Sequence, residues 1–590
     1  MALSIASSIA YSSLMAIETQ IAVTSANIAN ASTTGYTSKT ATQVATVTEG
    51  VGTGTTVTGI SSNVDALLLK SLVEATTDLG AADIANSYAT QLESLFGSTS
   101  DSSDSSTGTS LANTLATLES AISSLESSGD GSSTLATVVS SLDEVASQLR
   151  DTSSGIQSLR SDADQAIAAD VDQVNQSLND IDTLNKEIVA AKAAGQSTAD
   201  LEDQRNSDLQ TLSGYMNVSY FVTSGGQMQI YTGSGQALLD GSVHELSYQA
   251  LGTVTAGTTY SAGSSSGFGA ISVDGQDITS QITSGQIGGL ITGRDDTLPA
   301  AQSELDQLAS NLISSFNAIS NQGTASPPPS SLTGTGTVSS SDTFSATGTV
   351  RIAVTDSSGD LVSYQDLDLS QYSTAGDVVR AINGISGLSA SINSDGKLVI
   401  SATDSSDGVA INEMTSSVGS NDQGFSDYFG LNDLLTGSDA SDIAVQSGIL
   451  SDPSLIATSQ LSSSSSLMVG DNVITSETTI ADDLYSALTG STTFAASGRL
   501  GNTTTSFASY AADIIANVAT ASSDASSTYT TKETTQSTLS STMSSESGVN
   551  VDQETATLTA LQNQYSAAAE ILTTIDTMFN ALLTMVQASS

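Results

Sequence analysis

The chain has 590 residues, of which 62 are acidic and 13 are basic, so its formal net charge is -49. A field of that sign repels phosphate groups, which excludes nucleic acids and anionic membrane surfaces as partners. Cysteine is absent, which excludes disulfides, thiolate metal sites and cysteine nucleophiles. The length predicts about four domains. Only 4% of the residues are aromatic, which favours thin helical and sheet layers built from aliphatic side chains.

The first predicted helix runs from Ser4 to Asn30 and ends before a turn at Gly35. Its apolar residues fall on two seven-residue series, which predict a narrow apolar stripe along the helix. The series consist of Leu3, Ala10 and Ile17, and of Leu14, Ile21 and Ile28. No Lys or Arg precedes Lys39, so we expect no cleaved secretory signal, and the apolar runs elsewhere are too short to cross a bilayer.

Residues 40–58 are rich in Thr, Val and Gly and predict an extended segment, which is followed by a helix over 64–96 and a loop over 97–110. More helices are predicted over 111–194. They include a second coiled-coil-like stripe on heptad spacing. That stripe consists of Ile167, Val171, Val174, Leu178, Ile181 and Ile188.

Four aspartates cluster on the same helical stretch, at Asp162, Asp164, Asp170 and Asp172. A cluster of this kind suggests cation binding, but the spacing lacks the Gly and the distal Glu of an EF-hand loop. We therefore predict a solvated acidic face, with a metal site as the alternative.

Near Tyr215 the hydrophobic period changes from 3.6 to 2, which predicts a hairpin over 216–231 and further strands up to Ile278. A helix follows over 298–319. Three consecutive prolines from Pro327 predict a stiff spacer, and a β-rich block follows over 343–411. Helices resume near Ala481 and over 503–538.

The last forty residues carry a heptad of apolar residues that continues towards the end of the chain. One series is Val551, Leu558, Tyr565, Leu572, Phe579 and Val586, and the other is Leu561, Ala568, Ile575 and Leu582, broken only by Glu554 at its start. Such a stripe is buried only when another helix lies along it. The first helix carries a matching stripe, so we predict that the two ends pair. The alternative is that each helix packs on its own domain.

One stretch imitates a hydrolase signature, because Gly263 to Gly267 fits G-x-S-x-G with Ser265 in the nucleophile position. The single histidine, His244, precedes this serine, whereas that fold requires a histidine later in the chain and a strand-turn-helix context. One histidine also cannot supply a multi-histidine zinc site. We therefore predict no catalytic site, no cofactor and no metal.

Several segments resemble the flagellar axial proteins, the family of rod, hook and hook-associated proteins. Asn27-Ile-Ala-Asn30 followed by Thr34-Gly35-Tyr36-Thr37 is similar to the family's N-terminal motif, in the form found in the hook-associated protein 1 branch. The segments 298–309, 424–433 and 452–457 resemble that branch as well. Residues 547–554, with Leu561, Tyr565 and residues 575–579, are similar to the C-terminal motif. Residues 335–420 carry no resemblance.

The resemblance implies a multidomain α + β fold, with terminal coiled-coil helices that form an inner axial domain, a helical bundle or coiled-coil region, and β-rich outer domains. We expect the inner domain to comprise residues 1–60 and 540–590, and the helical domain to comprise 61–214 and 481–539. Between them we expect a β-rich segment over 215–285, a helix over 286–326, a linker over 327–342, a β-rich outer insertion over 343–440 and a return segment over 441–480.

The function that the resemblance implies is that of a structural subunit joining hook to filament, assembled through its terminal helices around a central export channel. The expected interface comprises the apolar residues of both terminal heptads together with Asn27, Asn30, Gly35 and Tyr36. The alternatives are a hook or distal rod protein or, in a different class, a secreted acidic adhesin or surface-layer protein.

The resemblance also implies partners and a location. We expect a homo-oligomer in a helical or ring assembly, with hook protein on one side and another hook-associated protein or flagellin on the other. An export chaperone is expected on the C-terminal helix. The location implied is extracellular, in the flagellum, after export by the flagellar type III system. Both terminal helices are expected to be disordered in the free subunit and to fold on assembly.

Overall fold

The structure is a computed structural model that describes residues 2–48, 50–97, 108–128, 131–264, 266–475 and 479–588. Its first part is one long helix followed by a two-stranded antiparallel hairpin. These elements are α1 (Ala2–Ala29), β1 (Lys39–Thr48) and β2 (Val51–Ser62). The predicted extended segment is therefore a hairpin, which packs beside α1.

Four helices follow, and they are α2 (Ala66–Leu95), α3 (Leu111–Ser128), α4 (Ser132–Ala193) and α5 (Ala199–Tyr215). Asp65 starts α2, because its carboxylate accepts hydrogen bonds from the backbone N–H groups of Leu67 and Leu68 at 2.8 and 3.1 Å. Residues 98–107 of the predicted loop lie outside the described residues.

The predicted hairpin is confirmed, since β3 and β4 pair antiparallel. The strands of this region are β3 (Val218–Val222), β4 (Met228–Thr232), β5 (Ala237–Leu239), β6 (Leu246–Ser247), β7 (Ser272–Val273) and β8 (Gln276–Asp277). They form two sheets of three strands, in the orders β3-β4-β5 and β6-β7-β8. Two helices follow, α6 (Gly285–Thr292) and α7 (Leu298–Ser320), joined by a π-helical segment, Gly293–Thr297.

The next block is β-rich, as predicted. Its elements are β9 (Ser331–Thr337), β10 (Ala346–Thr347), β11 (Thr349–Thr355), β12 (Leu361–Asp368), α8 (Ala375–Ile382), β13 (Leu388–Ile392), β14 (Lys397–Ala402), β15 (Gly408–Asn412), β16 (Ser417–Val418) and α9 (Phe425–Phe429). The three-stranded sheets β12-β11-β15 and β13-β14-β9 share one core with α8. Thr374 and Asp377 form a capping box at the start of α8.

The remaining part of the chain combines short strands with helices and ends in two long helices. Its elements are β17 (Leu435–Thr436), β18 (Ala444–Val445), α10 (Ser447–Ser451), β19 (Gln460–Leu461), β20 (Ile474–Thr475), α11 (Thr479–Thr489), β21 (Thr492–Phe494), β22 (Thr503–Thr505), α12 (Phe507–Ser547) and α13 (Val551–Ala588). The helix predicted over 503–538 is wrong at its start, because Thr503 to Thr505 pair with β21. Three consecutive β-branched residues favour a strand there.

The predicted linker over 327–342 is also wrong in part, since it contains β9, which pairs with β14. The prolines do not form a free spacer either. The carbonyl of Pro329 accepts a hydrogen bond from Val409 N–H at 2.8 Å, and that of Ser330 accepts one from Ala402 N–H at 2.9 Å. Backbone groups that pair with strands attach this segment to the β-rich block.

Two large apolar cores lie in the helical part of the molecule. The first joins α3, the first half of α4, α7, α11 and α12 with the segment from β17 to α10. The second covers the second half of α4, where the predicted coiled-coil stripe is buried. Its partners, however, are several elements, α2, α5, α6 and the strands β4 and β5, rather than one helix that runs along the whole stripe. An apolar stripe specifies burial but not the element that buries it.

Candidate assembly surface at the chain termini

The two terminal helices, α1 and α13, lie side by side and antiparallel. Ile17 forms a small apolar cluster with Leu561 and Ala568, and Leu14 and Ile21 pack against this cluster. Ala10 and Ile575 are also buried. The structure thus brings together part of each predicted stripe, and α1 and α13 pack on one another rather than on separate domains.

Most of the other series of α13 remains uncovered within this chain. The exposed fraction is 42% at Tyr565, 50% at Phe579 and 60% at Val586, and Val551 is exposed as well. Leu582, the last member of the buried series, is also exposed. Leu3, Ile28, Leu558 and Leu572 are half-buried. One partner helix covers only one flank of a heptad stripe, so an apolar band along α13 stays in contact with water.

Asn27 is the polar connector of the two helices and is only 1% exposed. Its side-chain amide donates to Lys39 O and to Glu554 Oε1, both at 2.9 Å. Its Oδ1 accepts from Lys39 N–H and from the hydroxyl of Tyr36, both at 3.1 Å. These four bonds fill the capacity of the amide. The sequence placed Asn27 in the expected interface but did not identify these partners. Asn30, the other asparagine of the motif, makes local contacts with Ala26 and Thr33.

Glu554 is the residue that interrupts the apolar series of α13, and its contact with Asn27 supplies the reason. Its carboxylate also accepts from the hydroxyl of Ser38 at 3.4 Å. A carboxylate in this position replaces one apolar contact with a specific hydrogen bond, which sets the alignment of the two helices. The break in the heptad was the available sequence signal.

The turn after α1 is fixed by Gly35, whose φ of +79° favours glycine. It places Tyr36 so that Lys39 Nζ lies 3.4 Å from the centre of its ring. Nζ is also 2.7 Å from Asp200 and 3.0 Å from Asp203. Burial alone would lower the pKa of Lys39, but the hydrogen bonds that its ammonium donates to both aspartates outweigh burial and raise this pKa. Sequence reasoning missed this ion pair, which anchors the terminal region to α5.

The break between α12 and α13 lies against the same region. Ser38 N–H donates to Ser547 O at 2.7 Å, and the side chain of Asn63 donates to Glu546 O at 3.3 Å. The end of α12 is therefore held by both ends of the β1–β2 hairpin, next to the Asn27–Glu554 contact.

Of the chemical candidates of the sequence, His244 occupies a structural position. Ser265 lies outside the described residues. The His244 ring contacts Asp240 at 3.0 Å and Asp274 at 2.7 Å, and these hydrogen bonds, first that of Asp240, raise the pKa of His244. In the described ranges, no group of three or more His, Cys, Asp or Glu side chains is arranged to hold a metal ion.

The prediction of a solvated acidic face is wrong for Asp164. This residue is fully buried and pairs with Arg294 at 2.9 Å. It also accepts from Leu251 N–H at 2.7 Å and from the Tyr248 hydroxyl. A buried carboxylate requires a paired cation and hydrogen-bond donors, and α7's preceding π-helical segment supplies the arginine. Asp162 and Asp172 are exposed, and Asp170 is half-buried.

Comparison with known proteins gives family matches in three parts of the chain. Residues 89–328 match the family model of the flagellar hook-associated protein FlgK helical domain. Residues 540–585 match the flagellar basal body rod FlgEFG protein C-terminal model, and residues 8–37 match the flagella basal body rod protein model. The two terminal matches contain most of the contacting parts of α1 and α13. No curated protein matches the chain.

The fold is similar to that of a solved structure, the flagellar hook junction protein FlgK from Burkholderia pseudomallei. The TM-score is 0.50 and the identity is 16%, and the match covers 82% of this chain and 100% of that one. None of the helices in the described part of the chain combines the length and the apolar content needed to span a bilayer. From the match to the FlgK helical domain and the rod-type matches at both ends, the chain belongs to the flagellar hook-associated protein FlgK family and is a structural component of the flagellum.

Proposed function

We propose that this protein joins the flagellar hook to the filament and assembles through α1 and α13 around a central export channel. The observation that carries the proposal is the apolar band on α13, from Tyr565 to Val586, that α1 leaves uncovered. Apolar side chains of this size each gain roughly 1.5–3 kcal/mol on burial. Further helices from other copies would supply that burial.

A homo-oligomer in a helical or ring assembly fits the charge distribution. Each copy carries a net charge of -49, so copies repel one another wherever their acidic surfaces meet. The exposed members of the α13 band are uncharged. Contact along this band therefore brings copies together at low electrostatic cost. The proposed interface comprises all the residues predicted from the sequence. Among them, Asn27, Gly35 and Tyr36 act within the subunit, where they hold the end of α1 and the turn that follows it.

The proposed neighbours are hook protein on one side and another hook-associated protein or flagellin on the other. An uncovered apolar band also requires protection before assembly, which supports an export chaperone on the C-terminal helix. The cysteine-free sequence supports passage through the flagellar type III system to the cell exterior. The role proposed is structural, without catalysis.

The proposed domain division keeps the inner axial domain at 1–60 and 540–590 and the helical domain at 61–214 and 481–539. The hydrogen bonds that join 38 to 547 and 63 to 546 support a boundary near these positions. The outer β-rich domain is proposed to include β9 and the β19–β20 pair, since β9 pairs with β14, and Leu461 and Ile474 contact Ala353 and Ala410.

Gene deletion tests the function. Cells without this protein are expected to build hooks but to shed unattached filaments into the medium. Hookless cells would instead identify a hook or distal rod protein, and unchanged motility would favour an adhesin or surface-layer role.

Complementation tests the interface. Phe579→Asp places a charge on the apolar band and is expected to abolish filament attachment, whereas Asn580→Asp adds the same charge one residue away and should restore it. Both proteins must be recovered outside the cell, so that a failure of assembly is separated from a failure of export. Full restoration by Phe579→Asp would contradict the proposed interface.

A further inference from the structure

The helical part of the molecule and the outer β-rich block are connected by several passes of the chain. The chain leaves α7 for β9, returns from α9 to β17, leaves again from α10 to β19, and returns from β20 to α11. β17, β18 and α10 pack in the helical core, whereas β19 and β20 pack on the outer block. Hinges that swing are usually formed by a few residues at one connection. Repeated crossings resist such motion.

Asn321, directly after α7, lies at the centre of this junction and is 1% exposed. Its amide donates to Asp433 Oδ1 at 2.7 Å and to Asn317 O at 2.9 Å. Its Oδ1 accepts from the hydroxyl of Ser426 at 2.7 Å and from Asn432 N–H at 2.9 Å. All four hydrogen-bonding positions of the side chain are therefore occupied, three of them by the segment that surrounds α9.

Asn317, one turn earlier on α7, binds backbone groups of the same returning segment with its side chain. Its amide donates to Leu435 O at 2.8 Å, and its Oδ1 accepts from the N–H groups of Leu434 and Leu435 at 3.0 and 2.9 Å. The hydroxyl of Ser320 donates to Asn432 O at 2.7 Å. Buried backbone groups that lose such partners are costly, so the returning chain is fixed to the end of α7.

The two outgoing passes are also joined to each other. Thr324 and Ser459 exchange backbone hydrogen bonds of 2.7 and 3.0 Å. Next to them, a Cβ on Gly323 would lie 3.0 Å from both Ala457 Cβ and Ile480 Cγ1. The junction is thus packed too closely to accept an added methyl group without a shift.

We propose that Asn321 is a positioning residue that fixes the orientation of the outer β-rich block on the helical part, so that the two move as one rigid body. Relative domain motion is the usual expectation for domains within one chain, and this junction removes it. For the hook–filament role, on which this last step rests, any compliance at the joint would then reside in contacts between subunits rather than within one.

The test uses the full chain, whose lack of cysteine permits site-specific spin labels. Thr90→Cys on α2 and Ser394→Cys in the β13–β14 turn are both exposed positions on opposite sides of the junction. Double electron–electron resonance on the free subunit is expected to give one narrow distance distribution. Asn321→Ala should broaden it. The control Gln322→Ala changes the neighbouring exposed side chain, which donates to Ala318 O of the preceding helix, and should leave the distribution narrow.

A broad distribution in the parent protein would overturn the proposal, as would a narrow one in Asn321→Ala with native circular dichroism. Should Asn321→Ala fail to fold, Ser426→Ala decides the outcome, because it removes only the hydroxyl that donates to Asn321. Broadening in that variant supports the proposal and an unchanged distribution refutes it. Since the distances are measured on free subunits, a result that overturns the rigid junction would leave the proposed hook–filament role intact. Conversely, the shedding of filaments after gene deletion tests the hook–filament role and does not test the rigidity of the subunit.

Discussion

The side-chain amide of Asn27 lies 2.9 Å from the carboxylate of Glu554 and connects residues 527 positions apart in the sequence. It is the polar contact that aligns α1 with α13 beside the base of the hairpin. The same amide orders the turn that leads to Lys39. Asn27 thus couples the register of the terminal helices to their anchoring on α5.

Replacing Asn27 with Ala should loosen this region, because Glu554 and both backbone groups of Lys39 would lose buried partners. The expected cost is about 1–3 kcal/mol, seen as faster amide exchange in residues 24–30 and 551–558. Asn30→Ala is the matched control, since the Asn30 side chain bonds to Ala26 and Thr33, which are close to it in the sequence. Exchange in the same two segments should change little in this variant. Equal effects of the two variants would show that the Asn27–Glu554 contact does not align the helices.

Amide exchange in the unmodified free subunit should follow a gradient. Only Leu561, Ala568 and Ile575 are buried along α13, whereas ordering each residue costs about 1–2 kcal/mol of backbone entropy. Protection should be weak in both terminal helices and weakest towards Leu3 and Val586, far from the Asn27 contact. Strong, uniform protection over 3–28 and 551–586 would mean that the helices are stable without neighbouring copies.

Arg294→Ala should destabilise the helical part strongly, because it leaves the buried Asp164 without its cation. Breaking such a pair costs about 3–5 kcal/mol, which urea unfolding followed by circular dichroism would measure. Arg380→Ala is the control, because Arg380 pairs with Asp377 on an exposed surface, where solvent screening leaves little stability to lose. Similar losses in the two variants would argue against a structural role for the Arg294–Asp164 pair.

The single histidine gives stability a pH dependence. Hydrogen bonds to Asp240 and Asp274 raise the pKa of His244 above its usual value. The imidazole ring therefore binds its proton more tightly in the folded state than in the unfolded state. That stabilisation is fully present below the unfolded pKa of about 6.5 and is lost as pH rises through the folded pKa. His244→Gln should remove this pH dependence from the thermal stability, measured by thermal unfolding over roughly pH 5 to 9. A folded-state pKa at or below 6.5 by proton NMR would contradict it.

Asp170→Asn should stabilise the protein at neutral pH. Burial raises the pKa of Asp170 to about 6, and no hydrogen bond to its carboxylate is found within the described residues. Its ionisation therefore costs stability as pH rises from about 4 to 6. After allowance for solvent screening, the gain expected at pH 7 is roughly 1 kcal/mol. It should vanish below pH 4, and a loss of stability at pH 7 would refute the assignment.

The predictions that succeeded rest on local patterns. The heptads at Leu561, Ala568 and Ile575 predicted a buried helical stripe, and the change of period near Tyr215 predicted the β3–β4 hairpin. Predictions failed where a distant partner overrode the local pattern. Asp164 is buried because Arg294 is available 130 residues later, and residues 331–337 form a strand because β14 presents an edge to them.

The sequence by itself determined the charge, the lack of thiol chemistry and the apolar periodicity of both chain ends, because these properties depend on composition and spacing alone. Only the tertiary structure decided which flank of α13 is covered by α1 and which remains exposed. It also assigned Asn27 to Glu554 and Asn321 to the junction of the outer block. The physical reason is that a periodic pattern specifies a face, whereas a buried polar side chain is defined by partners that the chain brings together only when it folds.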